Sequence, residues 1–197
     1  DGAVDDLGQS EIGERALADA RGHLERPRHA AGLDGRVHGE AGALITLTHV
    51  CMLLGRNEEA VEAALLAVFL CDQRSPQPQT VLAHNCLGLA YSWSGDHQRG
   101  DAALEMAIDA AGRCIPPASI YQPRLNQVWV EASRLLDERF QTGEMKSLAR
   151  IHALLAECHR LEASGSGQAV LPGLQSMART ISLASSALVA AWQGEFA

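Results

Sequence analysis

Residues Val81–Cys114 read VLAHNCLGLAYSWSGDHQRGDAALEMAIDAAGRC, and the reading of this stretch decides the fold. In its first half Leu87, Ala90 and Tyr91 trace one face at spacings of three and four. That is the period of a helix, not of a strand. The polar turn around Gly95-Asp96 then supplies a stop and a start. Glycine accommodates the left-handed end of one helix, and aspartate caps the beginning of the next. The second half carries Gly100, Leu104 and Ala107. Small residues at Gly88, Gly100 and Ala107 let the two helices approach closely, while Leu87 and Tyr91 fill the space between layers.

The same order recurs 40 positions earlier without a gap. In Ala41–Arg74 the residues Leu44, Leu47-Thr48, Cys51, Gly55, Ala60, Ala64 and Ala67 stand where the later block has His84, Leu87-Gly88, Tyr91, Gly95, Gly100, Leu104 and Ala107. A weaker copy spans Val130–Ala163, with Leu136, Phe140, Ala149, Ala153 and Ala156. One such hairpin cannot bury its apolar face alone, so hairpins stack and the ends need caps.

The block Val81–Cys114 resembles the tetratricopeptide repeat at nearly every signature position. It departs in having His84 where tryptophan is usual and Gly100 where alanine is usual, and it has no closing proline. The period of 40 exceeds the usual length of about 34 because of the connector Arg74-Ser-Pro-Gln-Pro-Gln. The resemblance implies an all-α chain of antiparallel helix hairpins stacked as a short right-handed solenoid, with about eight helices. Punctuation by proline and glycine places them near 10–25, 38–54, 57–72, 78–94, 97–113, 119–141, 144–162 and 172–193. The corresponding organisation is a capping helix and connector over 1–40 and repeats over 41–163 (41–74, 81–114 and 130–163). A flexible linker over 164–170 and a capping or dimerisation helix over 171–197 complete it. Gly55, Gly95 and Gly143 are the expected helix stops. The stretch Ala163-Ser-Gly-Ser-Gly-Gln is flexible by composition, whether native or a fused joint.

Composition narrows the function. The 197 residues are 47% hydrophobic and 20% charged, enough for a real core and unlike a disordered chain. Sixteen basic against twenty-four acidic residues give −8, which argues against a phosphate-binding surface. Aromatic content of 4% argues against base stacking, so no direct nucleic-acid contact is expected. Fifteen of the sixteen basic residues are arginine, a bias associated with GC-rich bacterial genomes. The chain starts at Asp1 rather than methionine, as a piece of a longer protein would. No charged-then-apolar leader opens it, and Gln168–Gly194 is too polar for a good membrane span. Five cysteines, an odd number with no CxxC pair, read as reduced thiols and point to a cytoplasmic location.

Chemistry motifs are sparse. His49 with Cys51, and His84 with Cys86, look like ligand pairs, but residues two apart on a helix point about 200° apart and cannot share an ion. His152 and His159 share a face without further ligands in a zinc motif. Neither a Gly-x-Ser-x-Gly elbow nor a phosphate-binding glycine loop occurs. Glu58-Glu59 and Asp5-Asp6 read as solvated charges at helix starts. No metal, no cofactor and no catalytic activity are expected.

The resemblance implies instead that first-helix residues at fixed offsets line a concave groove. In this sequence these are Ile45, His49 and Met52, then Asn85, Leu89, Ser92 and Trp93, with Glu131, Arg134 and Glu138 in the weak copy. Tryptophan and methionine suit adaptable protein-binding surfaces; the competing reading is that Trp93 and Met52 pack against the next hairpin. The absence of lysine from both clear repeats argues against a carboxylate clamp, leaving Arg134 as the one basic groove candidate. The expected function is a non-enzymatic interaction domain that binds a protein partner, as a peptide or helix, in this groove. It would be the sensory or scaffolding part of a larger bacterial regulator, with homodimerisation through the C-terminal helix a further expectation. The alternative is a small-molecule-sensing domain, with His49, Asn85 and His152 around a pocket, or a dimerisation module attached to a diguanylate cyclase-like output domain.

Overall fold

The computed structural model describes residues 33–143 and 147–164. Six helices run through them: α1 (Leu33–Leu53), α2 (Asn57–Asp72), α3 (Pro78–Trp93), α4 (His97–Arg113), α5 (Tyr121–Thr142) and α6 (Ala149–Ala163). No strand occurs among the described residues, so the all-α expectation holds for them. The expected helices near 10–25 and 172–193, and with them the capping and dimerisation segments and the linker, lie outside the described residues.

Local chemistry explains where the helices begin and end. Gly55, Gly95 and Gly143 are the residues with positive φ among those described (70°, 87° and 72°), and each follows a helix. A left-handed residue there lets the following amides fold back on the last turn. The amides of Gly55 and Arg56 bond to Met52 O and Cys51 O, and those of Gly95 and Asp96 to Ser92 O and Tyr91 O. The starts differ between the two turns. Asp96 accepts from the Arg99 amide at 3.1 Å, as an N-cap should. At the matching position stands Arg56, which caps nothing; Glu58 and Glu59 occupy the first turn of α2 instead. The proline connector ends in another start signal: Gln77 and Thr80 exchange side-chain to backbone bonds in a capping box, with Pro78 in the first turn.

Each helix packs on its successor, so that α1–α2, α3–α4 and α5–α6 form pairs. The first helices of the pairs also meet, α1 with α3 and α3 with α5. The core follows the small residues. Cys51, Met52, Ala60, Ala64, Leu87, Ala90 and Ala103 close around the first two pairs, with Leu47 and Tyr91 partly buried against them. Tyr91 is therefore less deeply placed than a core-filling reading requires; its ring also carries the Arg99 guanidinium 5.7 Å from the centroid. A separate cluster of Leu125, Val128, Leu135, Ile151 and Leu155 joins α5 to α6.

Two glycines let the backbones of α3 and α4 approach closely. A Cβ added to Gly88 would stand 2.7 Å from Leu104 Cγ and 2.9 Å from Gly100 O; one added to Gly100 would stand 2.9 Å from Gly88 O. In the first pair the same positions hold Thr48 and Ala60, both fully buried. All five cysteines are buried free thiols.

Candidate functional site

The groove residues divide by burial. His49 is exposed, Ile45 and Leu89 are partly buried, and Trp93 retains 45% of its surface. Met52, Asn85 and Ser92 are buried. Met52 belongs to the core around Ala60 and Leu87, as the packing alternative anticipates. Leu53, which the groove reading passes over, is 79% exposed. It holds the same place in α1 as Trp93 in α3, 40 residues apart. The offset that aligns the two blocks identifies it once it is applied to every position.

The buried polar candidates are engaged across helices. Asn126 Nδ2 on α5 donates to Asn85 Oδ1 at 2.9 Å, and Gln122 Nε2 donates to Asn126 Oδ1 at 3.3 Å. Ser92 Oγ–H donates to His97 Nδ1 at 3.1 Å, and His97 Nε2–H donates to Asp137 Oδ2 at 2.8 Å. This chain has the residue types of a nucleophile with its base and orienting acid. Its hydroxyl is nonetheless buried, and its bonds join the turn after α3 to α5. Asn57, at the position matching His97, donates to Trp93 O at 3.0 Å and so reaches from α2 to the end of α3.

Arg134 lies in an ion cluster. It donates two bonds to Glu131, at 3.0 and 2.6 Å, and a third to Glu138. Those carboxylates hold its guanidinium above the ordinary value, the Glu131 hydrogen bonds most of all. Glu131 is buried and also accepts from Arg150 on α6 at 3.3 Å; Arg150 pairs with Asp101 on α4. Arg124 adds a second bridge, to Glu105 at 2.8 Å and Glu157 at 3.1 Å. Gln127, buried between them, donates to Asp101 and Glu105. The weak-copy candidates thus form part of the seam between α4, α5 and α6.

Histidine and cysteine meet in a combination that spacing along one helix does not reveal. His49 Nδ1–H donates to Ile45 O at 2.9 Å, and the Cys86 thiol lies 3.6 Å from His49 Nε2. Burial pushes the Cys86 thiol up to about 12, so it stays protonated and acts as the donor. His152 and His159 are exposed. No group of three or more potential metal ligands gathers among the described residues, and no helix among them is long and apolar enough to cross a membrane.

An open cavity of about 310 Å³ lies elsewhere, lined by Asp72, Arg74, Pro76, Thr80, His84, Met106, Asp109 and Arg113. Neither the groove residues nor the proposed pocket set of His49, Asn85 and His152 contributes to it.

Comparison with known proteins adds no relative. No family model, curated protein or solved structure matches the chain.

Proposed function

We propose that the chain is a helical-hairpin repeat module of tetratricopeptide type, stacked as a right-handed solenoid, that binds a peptide or helix along the face of α1 and α3. The observation that carries this reading is the repetition of exposed apolar residues: Leu53 and Trp93 stand at matching positions 40 residues apart, both open to solvent. The same two helices carry the exposed His49 and the partly buried Ile45 and Leu89. Large apolar side chains left uncovered at corresponding places on stacked helices suit an amphipathic or extended partner. Tryptophan is the residue type that most often dominates such contacts. The proposed role is non-enzymatic, as a sensory or scaffolding part of a larger regulator.

Selection from a displayed random-peptide library tests this. The reading expects enriched sequences whose binding weakens at least about tenfold in Trp93→Ala and in Leu53→Ser, while circular dichroism of both variants stays at the wild-type level. Failure to enrich any sequence contradicts the proposal, as does binding that both variants leave unchanged.

A further inference from the structure

Two neighbouring helices carry apolar residues at one spacing. Leu82, Leu89 and Trp93 stand at i, i+7 and i+11 on α3, and Trp129, Leu136 and Phe140 do so on α5. At about 100° per residue each set falls within a strip about 40° wide. Leu82 is 45%, Trp129 39% and Phe140 88% exposed, Trp93 is exposed as well, and Leu89 and Leu136 are partly buried.

Both strips look out of the same side of the fold. The bonds Asn126–Asn85 and His97–Asp137 join early residues to early and late to late, so α3 and α5 run parallel. Asn85 lies about 60° to one side of the α3 strip, and Asn126 about 60° to the opposite side of the α5 strip. The strips therefore flank the seam between those amides and point outward together, as one face. α3 contains no Asp, Glu, Lys or Arg.

Such a face disfavours a charged occupant, whose ions would lose water without gaining partners. One stretch of this chain meets that condition. Residues 171–193, outside the described residues, hold a single charge, Arg179, in a chain that is 20% charged. Their Ile181, Leu188 and Trp192 repeat the i, i+7, i+11 spacing, and on a helical period Arg179 falls about 160° from Ile181. The chain also leaves the described fold close to this face. α6 ends beside the start of α5: Glu157 bonds to Arg124 at 3.1 Å, and Cys158 packs with Tyr121 and Leu125. The seven steps from Ser164 to Leu171 reach up to about 25 Å, against about 8–10 Å between packed helix axes.

We propose that residues 171–193 dock as a helix on the face of α3 and α5, laying Ile181, Leu188 and Trp192 against Trp93, Trp129 and Phe140. Trp93 also belongs to the surface assigned above to a partner, so the segment competes with that partner. This consequence rests on the earlier reading, whereas the contact itself does not.

Acrylamide quenching of tryptophan emission tests the contact in the full chain, since Trp93, Trp129 and Trp192 are its three tryptophans. Trp192→Phe leaves Trp93 and Trp129 as reporters and serves as the reference for every variant. Ile181→Asp with Leu188→Asp should release the segment and raise quenching about twofold or more. Phe140→Asp, at a position that supports no core, should do the same from the other side. Ser186→Asp, on the far side of the segment's period, should change nothing. Quenching should hold constant over about hundredfold dilution, as an intramolecular contact requires. Peptides that bind the groove should bind the released variants more tightly; if no peptide binds, the partner reading fails while the quenching still decides the contact. The proposal is overturned if the reference is already quenched as strongly as the released variants, or if Ser186→Asp raises quenching as much as they do. It is also overturned if quenching rises on dilution, which would place a second copy's segment on the face.

Discussion

The first two hairpins share one register and differ in what they bury. In α1 the inward positions hold Leu44, Ile45, Thr48 and Met52; at the same offsets α3 holds His84, Asn85, Gly88 and Ser92. Each polar replacement reaches a partner on another helix or just beyond it: His84 to Asp72 on α2, Asn85 to Asn126 on α5, and Ser92 through His97 to Asp137 on α5. The glycine has a different consequence, drawing α4 to within contact of the α3 backbone. A repeat can therefore keep its geometry while its buried face changes from general apolar packing to directional bonds. Such bonds cost free energy if either partner is lost.

Exchanging residues between the hairpins breaks the comparison most sharply. Gly88→Thr puts the first hairpin's residue where a Cβ already meets Leu104 and Gly100 O, and should destabilise by about 3 kcal/mol or more. The reverse exchange, Thr48→Gly, loses helix propensity and a small side chain, and should cost about 1–2 kcal/mol. Urea denaturation of both variants reads the asymmetry, and equal losses would show that the two crossings are equally tight.

The ion cluster of α5 gives the next effect. Arg134→Met leaves the buried Glu131 with Arg150 alone, at 3.3 Å. Half-exposed arginines are partly screened by water, so a loss of about 1–3 kcal/mol is expected, smaller at high salt. A salt-independent loss would assign it to packing instead.

A pH dependence follows from the thiols. Burial raises Cys86 to about 12 and Cys158 to about 11, against 9.0 for an ordinary thiol. Above pH 9 the unfolded chain releases these protons while the folded chain keeps them, so stability falls as pH rises toward those values. The slope is at most about 1.4 kcal/mol per pH unit for each thiol. Cys86→Thr, which installs the first block's Thr46, should flatten part of it in denaturation curves taken between pH 8 and 10.5 (about one unit below to 1.5 above the ordinary thiol value). An unchanged slope would place the alkaline loss on other groups.

How far the sequence reveals these features depends on the range of the interaction that makes them. The helices follow from local signals: the stops at Gly55, Gly95 and Gly143 all take positive φ, and four of the expected helices begin and end within a residue or two of α2–α5. Trp93 is 45% exposed, and the 40-residue offset carries enough information to find the exposed Leu53 as well. Partners drawn from other helices are another matter. Nothing in the spacing of Asn85, Ser92 or Glu131 announces Asn126, His97 with Asp137, or Arg150, because those distances are set by how the pairs stack. The His84 cavity is hidden for the same reason: it joins α2, the connector, α3 and α4, and its signal in the sequence is one histidine at a position the earlier block fills with leucine.

The polar bond from α3 to α5 is the feature that most separates the second hairpin from the first, and a double-mutant cycle on Asn85 and Asn126 measures it directly. Asn85→Ile, the residue of the first hairpin, and Asn126→Leu should each destabilise by about 1–3 kcal/mol by leaving a buried amide without its partner. The double variant should recover most of that loss, with a coupling of at least about 1 kcal/mol. Additive losses, with a coupling near zero, would contradict the claim that α3 is anchored to α5 through its buried polar face.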